Sequence, residues 1–146
     1  MLELKGVTVV VPVDFSEACT TALSGPLTDS SADNIRLVHV VQPAVYPAAG
    51  DVVVAAGPEA ERMNAAREQF ERYLKEQNWP SYPTEVLTGD PGTEVVAFAD
   101  RIDADLIMVP SHGFHGWKRL VLGSVAERIV RLANCPVLVL RRGDAE

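Results

Sequence analysis

The sequence predicts an α/β fold: a single open five-stranded parallel sheet with helices on both faces. Three observations lead there. Aliphatic runs of strand length recur along the chain with little polar alternation, as strands covered on both faces require. Segments with apolar residues at helical spacing lie between them. Most links between these segments are short, which favours right-handed crossovers joining parallel neighbours.

"VTVVV" (7–11) and "IRLVHVV" (35–41) read as central strands. Between them, "DFSEACTTALSG" opens a helix with Ser16 as its N-cap, but Gly25-Pro26 and the polar "TDSSADN" predict that it is short or broken. "QPAVYPAAGDVVVAAG" (42–57) carries prolines, glycines and alanines and reads as a flexible loop able to close over a ligand. Residues 58–78 set Met63, Ala66, Phe70, Tyr73 and Leu74 on one helical face opposite Glu, Arg and Lys. "TEVL" (84–87) is a shorter strand after Pro80 and Pro83. Asp90-Pro91 starts a helix, an N-cap followed by proline at the first helical position, with Val95, Phe98, Ala99 and Ile102 on one side. "ADLIMV" (104–109) and "PVLVL" (136–140) repeat the buried-strand signature. The helix between them is expected from Ser124 to Ala133, where "SVAE" reads as a capping box in which Ser124 caps and Glu127 reaches back. Asn134 and Pro136 stop it.

A chain of 146 residues, 47% hydrophobic and 23% charged, is large enough for one core, and residues 1–146 read as one domain. Its net charge of −7 is spread along the chain without long runs of one sign, which disfavours a non-specific hold on nucleic acid or anionic lipid. No stretch reaches the roughly 20 apolar residues of a membrane span, and the opening "MLELKGVTVVVPVDFS" lacks a basic region followed by a cleavable apolar segment. A cytoplasmic location without membrane insertion is the expectation. Cys19 and Cys135 have no C-x-x-C spacing and read as small buried residues in a reducing compartment.

In open α/β sheets, ligands bind outside the carboxyl ends of the strands where strand order reverses. Two segments qualify: "PVDFS" (12–16) after the first strand, and "PSHGFHGWKRLVLGS" (110–124) after the fourth. Glycines let main-chain N–H groups approach an anion, and the last helix aims its positive dipole end at the same place. Together they describe a phosphate cradle. Each residue has a plainer role open to it: Ser124 as a helix cap, Gly123 as a turn residue, Asp14 as a helix-capping group, His39 as a satisfied core histidine. His112 and His115 lack a third ligand nearby and read as exposed side chains, so no metal site is predicted. Trp117 could seat the loop on the core or on a partner, while Lys118 and Arg119 either reach phosphates or stay solvated. No G-x-S-x-G elbow and no GK[ST] sequence occurs, so no catalytic residue is predicted and any hydrolysis of a bound phosphate compound should be slow.

"VVPVDFSE", "LVHVV", "ADLIMVPSHG" and above all "LGSVAERIVRLANCPVLVLR" make the chain resemble the universal stress protein family across essentially its whole length. The resemblance implies a five-stranded parallel sheet of the Rossmann-like, adenine nucleotide alpha hydrolase-like kind, frequent homodimers and, in one branch, an ATP site patterned Gly-x-x-Gly, nine residues, then Gly-Ser or Gly-Thr. Gly113, nine residues and Gly123-Ser124 match the second half; the first glycine is replaced by Pro110. Proline has no N–H to donate, so a contact made by that glycine's amide is lost. Carried over residue by residue, Asp14, with Pro12 and Val13 beside it, should sit by the ribose or adenine, and Val40 should offer main-chain groups to the adenine. Val109 and Pro110 should line the sugar, while Gly113, Gly123, Ser124 and Val125 should hold phosphates. The implied ligand is ATP, AMP or ADP, with Mg²⁺ accompanying a triphosphate near Asp14. In the family's strand order "PVLVL" is an edge strand, apolar until Arg141, and residues 136–141 are the expected homodimer contact. The competing expectation is a dimeric interaction module that binds no nucleotide and regulates a partner protein.

Overall fold

The computed structural model describes residues 3–29, 34–43, 58–111 and 122–141. Nine elements follow in order: β1 (Thr8–Pro12), α1 (Glu17–Asp29), β2 (Asn34–Val41), α2 (Glu59–Gln77), β3 (Thr84–Thr88), α3 (Pro91–Arg101), β4 (Leu106–Pro110), α4 (Ser124–Leu132) and β5 (Val137–Leu140). The five strands form one parallel sheet ordered β3-β2-β1-β4-β5. The chain runs outward from β1 to β3 and then returns to β4 on the other flank of β1. Strand order therefore reverses between β1 and β4.

Alternation along the strands feeds two cores. Val9, Val11 and Leu37 pack with Leu23, Leu27 and Phe70 of α1 and α2. Val10, Val38 and Ile107 pack with Val95, Phe98 and Ile129 of α3 and α4. Both faces are covered, which is why β1 and β2 read as nearly unbroken aliphatic runs.

Two local expectations are corrected. Helix α1 is neither short nor broken: it runs for 13 residues through Gly25 and Pro26. Leu23 and Leu27, one turn apart, are 0% and 1% exposed and contribute roughly 3–6 kcal/mol by burial. That offsets the approximately 4 kcal/mol that mid-helix Pro and Gly cost together. The Tyr82 hydroxyl also donates to the Leu27 carbonyl at 2.9 Å, anchoring the last turn. Helix α4 is not opened by a Ser124 capping box. Gly123 is the N-cap, its carbonyl accepts the Glu127 N–H at 2.9 Å, and no side chain caps the helix. The Gly123 N–H donates to the Ser111 carbonyl at 2.7 Å, which places the cap one residue before the serine and makes Ser124 the first helical residue. Elsewhere the caps agree with the reading: Ser16 Oγ accepts the Cys19 N–H at 3.1 Å, and Asp90 accepts the Thr93 N–H at 3.0 Å ahead of Pro91.

The sheet parts between β1 and β4. Their pairing stops at Val10↔Ile107, whereas β1 follows β2 to Pro12↔Val38 and β4 follows β5 to Pro110↔Leu140. Continuing the β1–β4 ladder by two rungs would need the N–H groups of residues 12 and 110, and both are proline. The two strands lack the donors that would close the gap.

A crevice at the switch point

The gap opens into a crevice of about 380 Å³ at the carboxyl ends of the strands. Its walls combine the ends of β1, β2 and β4 with the first turns of α3 and α4. Pro12, Val13, Asp14, Val40, Val109, Pro110, Gly123, Ser124 and Val125 all line it. Gly113 lies outside the described residues, as do His112, His115, Trp117, Lys118, Arg119 and residues 44–57 of the loop expected to close over a ligand.

Asp14 is held in place by the turn that follows β1. Its Oδ1 accepts the Ser16 N–H at 2.9 Å and the Ser16 hydroxyl at 2.6 Å. The carboxylate also makes a side-chain hydrogen bond with the Cys19 thiol. Between Asp14 and Ser16, Phe15 takes φ +64°, a left-handed conformation that costs a bulky residue about 1–2 kcal/mol. Its ring packs at 4.4 Å from His39, 5.2 Å from Phe70 and 5.1 Å from Tyr73, centroid to centroid. The Tyr73 hydroxyl pairs with Thr20 Oγ1 at 2.6 Å, and burial pushes its pKa up to about 12.

Helix α4 supplies the donors. With Gly123 as N-cap, the N–H groups of Ser124, Val125 and Ala126 have no intrahelical acceptor, and no side chain among the described residues takes them. All three residues line the crevice. The Gly123 amide differs, because Ser111 already accepts from it. The donor set is thus three adjacent amides at the positive end of the helix, suited to an anion. The lining also has an aliphatic part, Val38, Val40, Val95 and Val109.

Several lining residues were not singled out from the sequence. Pro91 and Val95 enter because α3, like α4, begins at the carboxyl edge of the sheet, a consequence of every β-to-α connection in a parallel sheet. Cys19 reaches the crevice from α1 at 2% exposure. Burial, then the neighbouring Asp14 carboxylate, pushes its thiol pKa up to about 12, so it is a protonated wall group and not a nucleophile. Cys135, read as a small buried residue, is only half-buried. His39 was placed correctly as a satisfied histidine, hydrogen-bonded to the Val13 carbonyl at 2.7 Å, yet it also lines the crevice. Among the described residues, no group of three His, Cys, Asp or Glu stands together to hold a metal, and no helix is long and apolar enough to cross a membrane.

The parallel sheet with helices on both faces and a crevice at its reversal point defines a Rossmann-like α/β protein. The model of the Universal stress protein family matches residues 7–141, and the chain belongs to that family. Among curated relatives, the universal stress protein MJ0531 of Methanocaldococcus jannaschii is 32% identical over 143 residues, spanning 94% of this chain and 84% of that one. The solved structure of the hypothetical protein MJ0577 superposes with TM-score 0.67 at 24% identity, covering 94% of this chain and 98% of that chain. A universal stress protein in complex with cAMP gives 0.61 at 20% identity over 94% and 98%. The Archaeoglobus fulgidus universal stress protein in complex with dAMP gives 0.56 at 21% identity over 92% and 97%. At these identities the structural likeness establishes the shared fold.

Proposed function

We propose that this universal stress protein binds an adenine nucleotide, ATP, AMP or ADP, in the switch-point crevice, and acts in the cytoplasm as a homodimer in a stress response. The observation that carries this is the convergence, on one crevice, of three unclaimed helix amides with an aliphatic slot and a single carboxylate. Phosphate fits the amides of Ser124, Val125 and Ala126. A purine fits between Val38, Val40, Val95 and Val109, with Asp14 within the crevice as an acceptor for ribose hydroxyls. The proteins of the same fold crystallised with cAMP and dAMP support an adenine base. If the nucleotide is a triphosphate, the Asp14 carboxylate is the group that would meet Mg²⁺, through water.

Pro110 favours a second reading. It stands where the ATP-binding pattern has glycine and offers no N–H, as a dimeric interaction module without nucleotide would allow. One substitution separates the two. Ser124→Pro removes an N–H and a hydroxyl from the first helical position, where proline is well tolerated because the preceding Gly123 is already extended at ψ 155°. Calorimetric titration should show micromolar binding of ATP or AMP by the wild type and at least tenfold weaker binding by Ser124→Pro, with little change in thermal midpoint. Absence of binding up to millimolar nucleotide in the wild type, with none retained after mild purification, establishes the interaction module.

A further inference from the structure

The β1–β2 ladder ends in a way that the strands alone do not explain. Val13 N–H donates to the Val38 carbonyl at 2.8 Å. Parallel pairing in this register makes the next rung a bond from the Val40 N–H to the Val13 carbonyl. That bond is absent among the described residues. The Val13 carbonyl is instead taken by His39, whose Nδ1 lies 2.7 Å away.

The neighbouring rungs fix where the Val40 main chain faces. Leu37 and Val41 turn their main-chain groups to the β3 side, bonding Pro83 and Gly89. Val38 and Val40, in alternation, turn theirs to the β1 side. At Val40 that side is the crevice, which Val40 lines. The Val40 N–H is thus a donor with no partner among the described residues, on a residue 9% exposed, a state that is costly unless another group, a ligand or water satisfies it.

The imidazole is well placed to keep it so. A carbonyl only accepts, so Nδ1 carries the proton and donates. Phe15 stacks on the ring at a centroid distance of 4.4 Å, and Phe70 meets it edge-on at 6.5 Å. Burial lowers the pKa of His39 from its ordinary value, which keeps the ring neutral near pH 7.

We infer that His39 is a positioning residue for the nucleobase: its Nδ1–H holds the Val13 carbonyl turned away from the Val40 rung, leaving the Val40 N–H and carbonyl exposed as a base-reading edge. Such an edge suits adenine, whose N1 accepts and whose N6 donates, and mismatches guanine, which presents a donor at N1 and an acceptor at O6. The inference rests on the adenine-nucleotide reading and adds the residue that sets base selectivity.

The test compares AMP and GMP affinities of the full chain as wild type, His39→Leu and His39→Asn. Asparagine places an amide N–H near the position of the imidazole Nδ1; leucine has no donor. The wild type and His39→Asn should prefer AMP, whereas His39→Leu should lose at least tenfold of that preference. A His39→Leu protein with the wild-type AMP:GMP ratio overturns the inference, as does equal loss of the ratio in both variants. A wild type that binds neither nucleotide overturns the adenine reading itself, a separate result. Amide exchange of the ligand-free wild type gives a check that needs no variant. The Val40 amide should exchange at least tenfold faster than that of Val38 and become protected by AMP; exchange as slow as that of Val38 without ligand overturns the inference.

Discussion

One carboxylate oxygen of Asp14 serves both polar groups of Ser16, accepting its main-chain N–H at 2.9 Å and its hydroxyl at 2.6 Å. The hydroxyl in turn accepts the Cys19 N–H at the start of α1. The residue facing the crevice therefore also orients a helix cap. Asp14→Ala should cost about 1–2 kcal/mol through the lost bonds and slackened cap, a fall of roughly 2–8 °C in thermal midpoint for a chain of this size. Asp14→Asn retains an acceptor for the Ser16 N–H and should keep most of that stability. Scanning calorimetry of the two variants separates them, and nucleotide titration of Asp14→Asn then reports the carboxylate's share in binding.

The left-handed Phe15 predicts an unusual order of stabilities. Truncating a partly buried aromatic ring costs roughly 2–3 kcal/mol, but glycine also relieves the positive φ, whereas alanine does not. Urea midpoints should therefore rank wild type above Phe15→Gly, and Phe15→Gly above Phe15→Ala by about 1 kcal/mol. Alanine at or above glycine would show that the backbone carries no strain there.

Asp90 couples the starts of α3 and α4. The Thr93 N–H, helped by the Thr93 hydroxyl and Arg128 at 3.1 Å, holds its carboxyl below the ordinary carboxylate value, against an opposing effect of burial that is second only to the Thr93 N–H. A carboxyl with a depressed folded-state pKa stabilises above its unfolded pKa, and the contribution is lost as pH falls through the folded value. The urea midpoint of the wild type should exceed that of Asp90→Asn by a constant margin from pH 7 to about pH 5, then converge on it below roughly pH 4. Salt should reduce the margin only slightly, because an ion pair with side chains 44% and 47% exposed contributes little and the N-cap bonds remain.

The proposed dimer makes its own prediction at the open edge of β5. Ile107 and Ser111 donate to the carbonyls of Pro136 and Leu140, so the even-numbered residues turn their main chain toward β4 and Val137 and Val139 turn theirs outward. Val139→Pro removes an outward N–H and no internal rung. Sedimentation equilibrium should give a dimer for the wild type and a monomer for Val139→Pro, with circular dichroism unchanged. A monomeric wild type at micromolar concentration removes the dimer from the proposal.

The sheet was legible because strands buried on both faces leave an aliphatic signature that needs no knowledge of partners. The switch-point crevice followed from the same pattern, and the order of strands put most of the expected residues around it. What was illegible depends on contacts between distant segments. Gly25 and Pro26 oppose a helix locally, and only the burial of Leu23 and Leu27 reveals why the helix persists. Ser124 and Glu127 satisfy a capping pattern, yet Gly123 serves as cap because its N–H is held by Ser111. Pro110 read as the loss of one ligand donor; its relation to Pro12 is visible only once β1 and β4 lie side by side. His39 read as a core histidine, and its place at the end of the ladder depends on a register that no local pattern encodes.

The bond from the Gly123 N–H to the Ser111 carbonyl, 2.7 Å long, joins the two feet of the segment 112–122 directly at the end of β4. The chain leaves the sheet and comes back to it at one point. Two feet held together in this way make the length of chain between them cheap to vary, since each doubling of a closed length costs only about 0.6 kcal/mol of closure entropy. A change of length between these two feet therefore leaves the five strands and the start of α4 where they are.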